Sequence, residues 1–348
     1  MTGAAVVPAP AAAVAGEAVT IPPAAARAQQ PVSGGGTLSP EVAALSPDPQ
    51  RALELYWTPE RMAAAKSADN GLPALPASPA GQLTSVLGKI EVAAGAPRAA
   101  TGAAGKQRSG AGVQAGSTGT SWPYRHDWTA LTNGKVFYTQ NGQDGWGCSA
   151  VVVTTESAST VFTAGHCVHS GPGGSGWHQN WVFIPDYYNG DRPLGTWSPV
   201  VNGLWSLQGW IGGGDWNLDI GAAVIRLNPA GQRLADVTGS QGIRINGPTS
   251  ANVWSFGFPA TPNPPYNGHD LITCDGRATL GVFSSEMEHL YRVRSGASGG
   301  AWLADFNGSW GYTVSVYSNF LSNDPLTYYG PYFGDGAYNL YQAVRFIS

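Results

Sequence analysis

The sequence predicts an all-β protein over residues 121–348, preceded by an N-terminal region, 1–120, with little structure of its own. Three observations carry this. The composition breaks near residue 120: Ala, Pro, Gly and Ser dominate before it, while all three cysteines and every tryptophan except Trp57 lie after it. Beyond the break, short apolar runs recur between Gly, Asn, Asp and Pro, the texture of many short strands joined by turns. No alternation of strand-like and helix-like segments is present, so barrels or a sandwich fit better than a βαβ fold.

Taken in order, residues 1–40 and 95–120 lack periodicity and large apolar residues, so they are expected to be disordered or linker. Between them, Thr58-Pro59-Glu60 reads as an N-cap, a first-turn proline and an acidic first turn, with good helix formers from Met62 to Ala65. Strands are expected around Val136–Tyr138, Ala150–Thr154, Val161–Ala164, Trp181–Ile184, Ile220–Leu227, Val253–Phe258 and Thr313–Tyr317. Asn307-Gly308 marks a hairpin between Ala301–Phe306 and Ser309–Val316. A short helix over Asn339–Ile347 closes the chain.

Charge and cysteine usage narrow the function classes. Charged residues make up 11% of the 348, the net charge is -4 and no Lys/Arg cluster occurs, which opposes nucleic acid or an anionic membrane as a partner. No apolar run is long enough to span a bilayer. Three cysteines, Cys148, Cys167 and Cys274, permit at most one internal pair, and the absence of C-x-x-C opposes zinc ribbons and thioredoxin-like chemistry. The first thirty residues are Ala- and Val-rich, but Arg27 is the first basic residue and Pro8 and Pro10 interrupt the apolar stretch, unlike a secretory signal.

The sharpest motif is Gly296-Ala297-Ser298-Gly299-Gly300. A serine hydroxyl needs a base to become a nucleophile; the surrounding glycines allow a tight bend, and the amides of Gly296 and Ser298 are candidates for an oxyanion hole. The motif also fits the nucleophile elbow of α/β-hydrolases, but that fold places its histidine after the serine. The six histidines, at 126, 166, 169, 178, 269 and 289, all precede Ser298. Thr163-Ala164-Gly165-His166-Cys167 follows a strand-like run, which puts His166 at a strand end. A bridge from Cys167 back to Cys148 would pin that loop to the neighbouring strand, and closing a loop of that size contributes ~3 kcal/mol in the chain-entropy view. Asp219-Ile220-Gly221-Ala222 leads into the apolar strand Ala223-Val224-Ile225, and Asp219 is the candidate to orient the imidazole; Asp215, after three glycines, reads as a solvated turn residue. The order His166, Asp219, Ser298 is that of the chymotrypsin triad and not of subtilisin.

At this point the chain resembles a trypsin-like serine peptidase of the bacterial, glutamyl-endopeptidase-related type. The resemblance covers about 121–348 and rests on Gly134-Lys135-Val136-Phe137, Gly147–Ala150, Thr163–Cys167, Asp219–Ala222, Gly296–Gly300 and Asn339-Leu340-Tyr341. It implies two antiparallel six-stranded β-barrels, the first about 128–235 and the second about 240–348, with the triad between them. It implies serine endopeptidase activity on protein or peptide substrates, secretion, a Cys148–Cys167 disulfide, and a zymogen whose N-terminal pro-region is a partner of the protease part. The segment Tyr56–Met62 resembles pro-regions of actinobacterial secreted proteases. No cofactor or metal is expected, and the chain is expected to be a monomer. Substrate binding falls to Arg292 at the pocket floor, to Val314-Ser315-Val316 as the edge strand for extended peptide, and to Tyr317 in the place of a specificity histidine. Arg292 would give a weak preference for acidic side chains. Two departures stand out. Ala297 replaces an aspartate that pairs with a new N-terminus in many relatives, and Tyr291 stands where Cys274 would find a partner, leaving Cys274 a buried thiol. The alternatives are a catalytically silent binding module of the same fold and an esterase using the same triad.

Overall fold

The computed structural model describes residues 23–67, 71–72, 87–98, 119–141, 143–262, 265–280, 286–290, 294–324 and 326–348. The N-terminal segment contains α1 (Pro23–Ala28), β1 (Pro31–Gly34), α2 (Pro40–Ala43), α3 (Pro49–Tyr56), α4 (Pro59–Ala64), β2 (Lys66–Ser67), β3 (Gly71–Leu72), β4 (Ile90–Val92) and β5 (Thr120–Ser121). After it come α5 (Trp128–Thr132), β6 (Asn133–Gln140), β7 (Gln143–Val152), β8 (Thr160–Thr163), β9 (Gln179–Pro185), β10 (Pro199–Leu207), α6 (Gln208–Gly213), β11 (Gly221–Ile225) and α7 (Leu234–Thr238). The last group is β12 (Gly242–Ile245), β13 (Ser250–Gly257), β14 (Ile272–Leu280), β15 (Glu286–Leu290), β16 (Ala301–Ala304), β17 (Tyr312–Val316), β18 (Asn319–Leu321), β19 (Thr327–Pro331) and α8 (Asp335–Val344).

Strands β6 to β11 form one sheet in the order β10-β11-β8-β7-β6-β9, and β12 to β19 form a second in the order β18-β19-β15-β14-β13-β16-β17-β12. The fold is all-β and chymotrypsin-like. It departs from the sequence expectation in detail: among the described residues, neither hydrogen-bond ladder closes into a ring, and the second sheet holds eight strands from beyond residue 240 instead of six. Each expected strand is present. The hairpin at Asn307-Gly308 has a longer loop than the dipeptide suggests, because the Asn307 side chain accepts from the amides of Ser309 and Trp310 (3.1 and 3.0 Å) and so sets its own turn.

The N-terminal segment corrects the expectation of disorder over 1–40 and 95–120 wherever it is described. It folds by adding strands to the two sheets: β1 extends β10, β2 lies on β7, β3 on β18, β4 on β12 and β5 on β14. Its few large apolar residues are spaced to reach the common core. Val42, Leu53, Tyr56, Trp57 and Met62 are buried in the same cluster as Val136, Phe137 and Trp181. Helix α4 starts as its sequence demands, with Thr58 Oγ1 accepting from the Arg61 amide (3.3 Å) and Pro59 in the first turn, where a missing N–H costs nothing.

Candidate active site

The two sheets meet at three short segments. His166 sits in a 3₁₀ turn, Gly165–Cys167, directly after β8. The turn requires glycine at 165, since a Cβ there would come within 2.9 Å of Asp219 Oδ1 and 2.8 Å of Trp210. Its backbone is held from three sides. The His178 ring bonds the carbonyl of His166 through Nε2 (2.9 Å), and the indole N–H groups of Trp181 and Trp210 donate to the carbonyls of Cys167 (3.0 Å) and His169 (2.9 Å). Burial pushes His178 down to about 3, so the ring is neutral and Nε2 carries its proton as donor. Cys167 is disulfide-bonded to Cys148 in β7, as the resemblance implied.

Asp219 ends a second 3₁₀ turn, Trp216–Leu218, and leads into β11. It is fully buried, a position a carboxylate takes only with partners. Oδ1 accepts from the His166 amide (2.7 Å), and Oδ2 faces His166 Nδ1 (2.7 Å) and accepts from Ser318 Oγ (2.6 Å). A carboxylate so placed keeps the Nδ1 proton on the ring and leaves the Nε2 lone pair for a substrate-side proton. Trp210 and Trp216 flank the imidazole, each centroid 6.2 Å away.

Ser298 is carried on the turn between the second sheet's strands and the first sheet's face. Its carbonyl accepts from the Ser149 amide of β7 (2.7 Å), and the neighbouring amide of Gly299 donates to Tyr317 (2.7 Å). Ser149 also donates its hydroxyl to the Gly296 carbonyl (2.9 Å) while accepting from the Phe258 amide (3.0 Å). Two glycines are obligatory here. Gly296 and Gly299 have φ of +96° and +81°, a region side chains rarely enter. A Cβ on Gly299 would strike Thr163 Oγ1 and the Ala164 amide, so Gly299 is what lets the serine turn touch the histidine loop. Cys167 Sγ lies 3.7 Å from the Ser298 carbonyl; as a disulfide sulfur it has no proton to give, so this is packing, not a hydrogen bond.

His166 and Asp219 are therefore in direct contact, and the turn that carries Ser298 lies against the histidine loop. The substrate-binding expectations fare differently. Arg292, and with it Tyr291, lies outside the described residues. Ser315 and Val316 are fully buried. They pair with Trp302 and Ala301 of β16, and Gly330 of β19 packs so closely on them that a Cβ there would lie 2.3 Å from the Val316 carbonyl oxygen. Val314–Val316 is interior sheet, not an edge. Tyr317 is buried too, its ring between Trp302 and Tyr328 with centroids 5.5 and 4.8 Å away. The edge beside the candidate site is β18, which begins directly after Ser318. Sequence reading missed Ser318, Ser149 and His178. A lone serine after a strand carries no signal; His178 had only its alternation with Trp177 and Trp181. Cys274 is the buried thiol expected, outside any disulfide, with its acidity suppressed by burial.

Among the described residues, one group of three metal-type donors clusters within 4.8 Å, namely Cys148, His166 and Cys167. Its two sulfurs are bonded to each other, which leaves one imidazole and no thiolate.

No protein-family model matches the chain. Among solved structures it is similar to the protease Anisep from Arthrobacter nicotinovorans, at a TM-score of 0.57 and 35% identity over 62% of this chain and 96% of that one. The thermostable serine protease AL20, from an extremophilic microorganism, matches at a TM-score of 0.58 and 33% identity over 64% of this chain and 100% of that one. A Glu endopeptidase matches at a TM-score of 0.52 and 17% identity over 67% and 99%, a likeness of fold. An extracellular metalloprotease of Bacillus subtilis is 31% identical over 143 residues, 41% of either chain, so the match spans less than half of that relative. With its order of candidate residues, its two sheets and two relatives above 30% identity matched over nearly their whole length, the chain belongs to the trypsin-like, chymotrypsin-fold family of serine peptidases.

Proposed function

We propose that this protein is a serine endopeptidase made as a precursor and working outside the cell, where a disulfide such as Cys148–Cys167 persists. The observation that carries the reading is the buried Asp219 carboxylate, bonded at once to the His166 amide, the His166 ring and Ser318. Such an arrangement holds an imidazole in one tautomer and stabilises its cation. In the reaction, Ser298 Oγ bonds to the scissile carbonyl carbon as its proton passes to His166 Nε2. The amides of Gly296 and Ser298 receive the oxyanion. The C–N bond then breaks, the amine leaves with the proton from Nε2, and water repeats the sequence to release the acid and free the serine.

The test is fluorophosphonate labelling and casein hydrolysis by the processed protein, with the adduct mapped by mass spectrometry. The expected adduct is on Ser298, Ser298→Ala abolishes both signals, and Asp219→Asn lowers kcat by ~10⁴ with the fold retained. Hydrolysis that survives Ser298→Ala would overturn the reading.

A further inference from the structure

Two strands of the N-terminal segment lie against the candidate active site. β2 pairs with β7 at Lys66↔Trp146 and Ser67↔Gly147, immediately before Cys148 and two residues from Ser149, whose amide holds the Ser298 carbonyl. β3 pairs with β18 at Phe320↔Gly71 and Leu321↔Leu72, starting two residues beyond Ser318, whose hydroxyl holds Asp219. Ser67 reaches the serine turn itself: its Oγ lies 2.9 Å from where a Cβ on Gly296 would be, so its hydroxyl covers one face of a candidate oxyanion donor.

Both pairings are parallel. The chain thus runs from the β7 edge to the β18 edge. A peptide that adds antiparallel to both edges, the slightly stronger pairing, runs the other way, from β18 to β7. Each edge amide and carbonyl can serve one added strand, so the two chains exclude one another. A peptide threaded in the opposite sense also exchanges the places of its N–H and C=O groups. It does not offer a carbonyl carbon to the serine with the leaving nitrogen on the histidine side.

The strap is anchored just upstream. Trp57 is fully buried, donates its indole N–H to the Asn180 carbonyl (2.8 Å) and packs on Phe137 at 5.4 Å. Gln50 donates to the Thr196 carbonyl and accepts from Ser198 Oγ (2.9 Å).

We propose that β2 and β3 are the latency element of this protein: they occupy both edges of the substrate cleft in the direction opposite to a cleavable peptide, so the chain inhibits its own site without being its substrate. This rests on the assignment of Ser298 and His166 above. Latency then ends when the anchor is removed by a cut elsewhere, and needs no ion pair next to Ser298, where Ala297 offers none.

The experiment compares fluorophosphonate labelling of the intact chain, its length checked by mass, before and after the N-terminal segment is cut away. A seated strap leaves the open form at roughly 0.1–10%. Ser67→Pro with Leu72→Pro, which removes two strap amides, is therefore expected to speed labelling of the intact chain by about tenfold or more. Trp57→Ala, which loosens the anchor without touching the strap, is expected to speed labelling of the intact chain as well. After cleavage, every form labels at the wild-type rate, which shows that the variants fold. Equal labelling of intact wild type and both intact variants, with full labelling after cleavage, overturns the proposal. If no form labels even after cleavage, the assignment of Ser298 fails, and the strap proposal falls with it. The direction has its own readout. The first cut that the chain makes in itself is expected outside Lys66–Leu72, and a first cut between those residues overturns the reversed threading.

Discussion

The N-terminal segment and the protease part fold by opposite means. Strands β6 to β19 pair mostly with one another and bury side chains between their own sheets. The described strands of the N-terminal segment are two to four residues long, and each pairs with a strand of the protease part. Strands that short have no independent stability. The difference teaches where the site is held: the candidate site belongs to the part with its own core, and the N-terminal segment is bound to that part from outside. It also covers open edges at β10, β18 and β12, the features that otherwise invite pairing with other chains.

The largest expected effect tests that dependence at its centre. Trp57 is the one large aromatic that the segment sinks wholly into the common core. Trp57→Ala leaves a cavity and orphans the Asn180 carbonyl, a loss of about 3–5 kcal/mol. Hydrogen exchange of α3 and α4 in the intact chain should then accelerate ~10²–10³-fold, while amides of β6 to β11 keep their protection. Equal loss of protection in both would break the comparison, because it would make the segment part of the protease core.

The same contrast explains what the sequence made legible. The three candidate catalytic residues sit in contiguous motifs whose glycines, cysteine and following strand are local features, so their roles could be read in line. Ser318 is one polar residue whose only distinction is that a fold brings it to Asp219. The edge strand was misplaced because the resemblance assigned Val314–Val316 by position along the chain, whereas packing under β19 buries Ser315 and Val316 and the edge beside the site begins after Ser318. Residues 23–40 were misread because their Ala, Pro and Gly show no periodicity, whereas β1 takes its order from pairing with β10. Val42, Leu53, Tyr56, Trp57 and Met62 are too few to make a core alone, but enough to complete one supplied by the sheets.

A second prediction concerns the protease part alone. Lys135 is buried in β6, its ammonium 3.4 Å from the Phe258 carbonyl and between the Phe137 and Phe258 rings at 5.7 and 5.8 Å, and burial pushes its pKa down to about 7. The unfolded chain keeps the ordinary value near 10.5. Between those values the unfolded state binds a proton that the folded state lacks, so stability rises with pH through that window. Below it, both states are protonated and the cost of the buried charge is complete. Lys135→Met should raise the stability of the processed protein at pH 7 by about 3 kcal/mol and flatten its rise toward pH 10, as read by urea unfolding. A variant that is less stable at pH 7 would show that the ammonium has a partner worth more than its burial.

The smallest expected effect falls back on the segment. Thr58 caps α4, the helix that delivers β2 to β7, and its hydroxyl bonds one amide at the helix start. The cap is exposed and local, so Thr58→Ala should cost ~1 kcal/mol. In a self-supporting helix that cost would appear in the helix and stop there. Here α4 is held by the protease part through Met62 and by the adjacent Trp57, so the loss should appear as a weaker hold of the segment. Exchange at Arg61 to Ala64 should rise by about fivefold, and labelling of the intact chain should rise by no more than that. The processed enzyme, which has lost Thr58, should be unaffected. If exchange rises at α4 while labelling of the intact chain stays at the wild-type rate, α4 and the strap open independently, and the segment is two docked pieces instead of one.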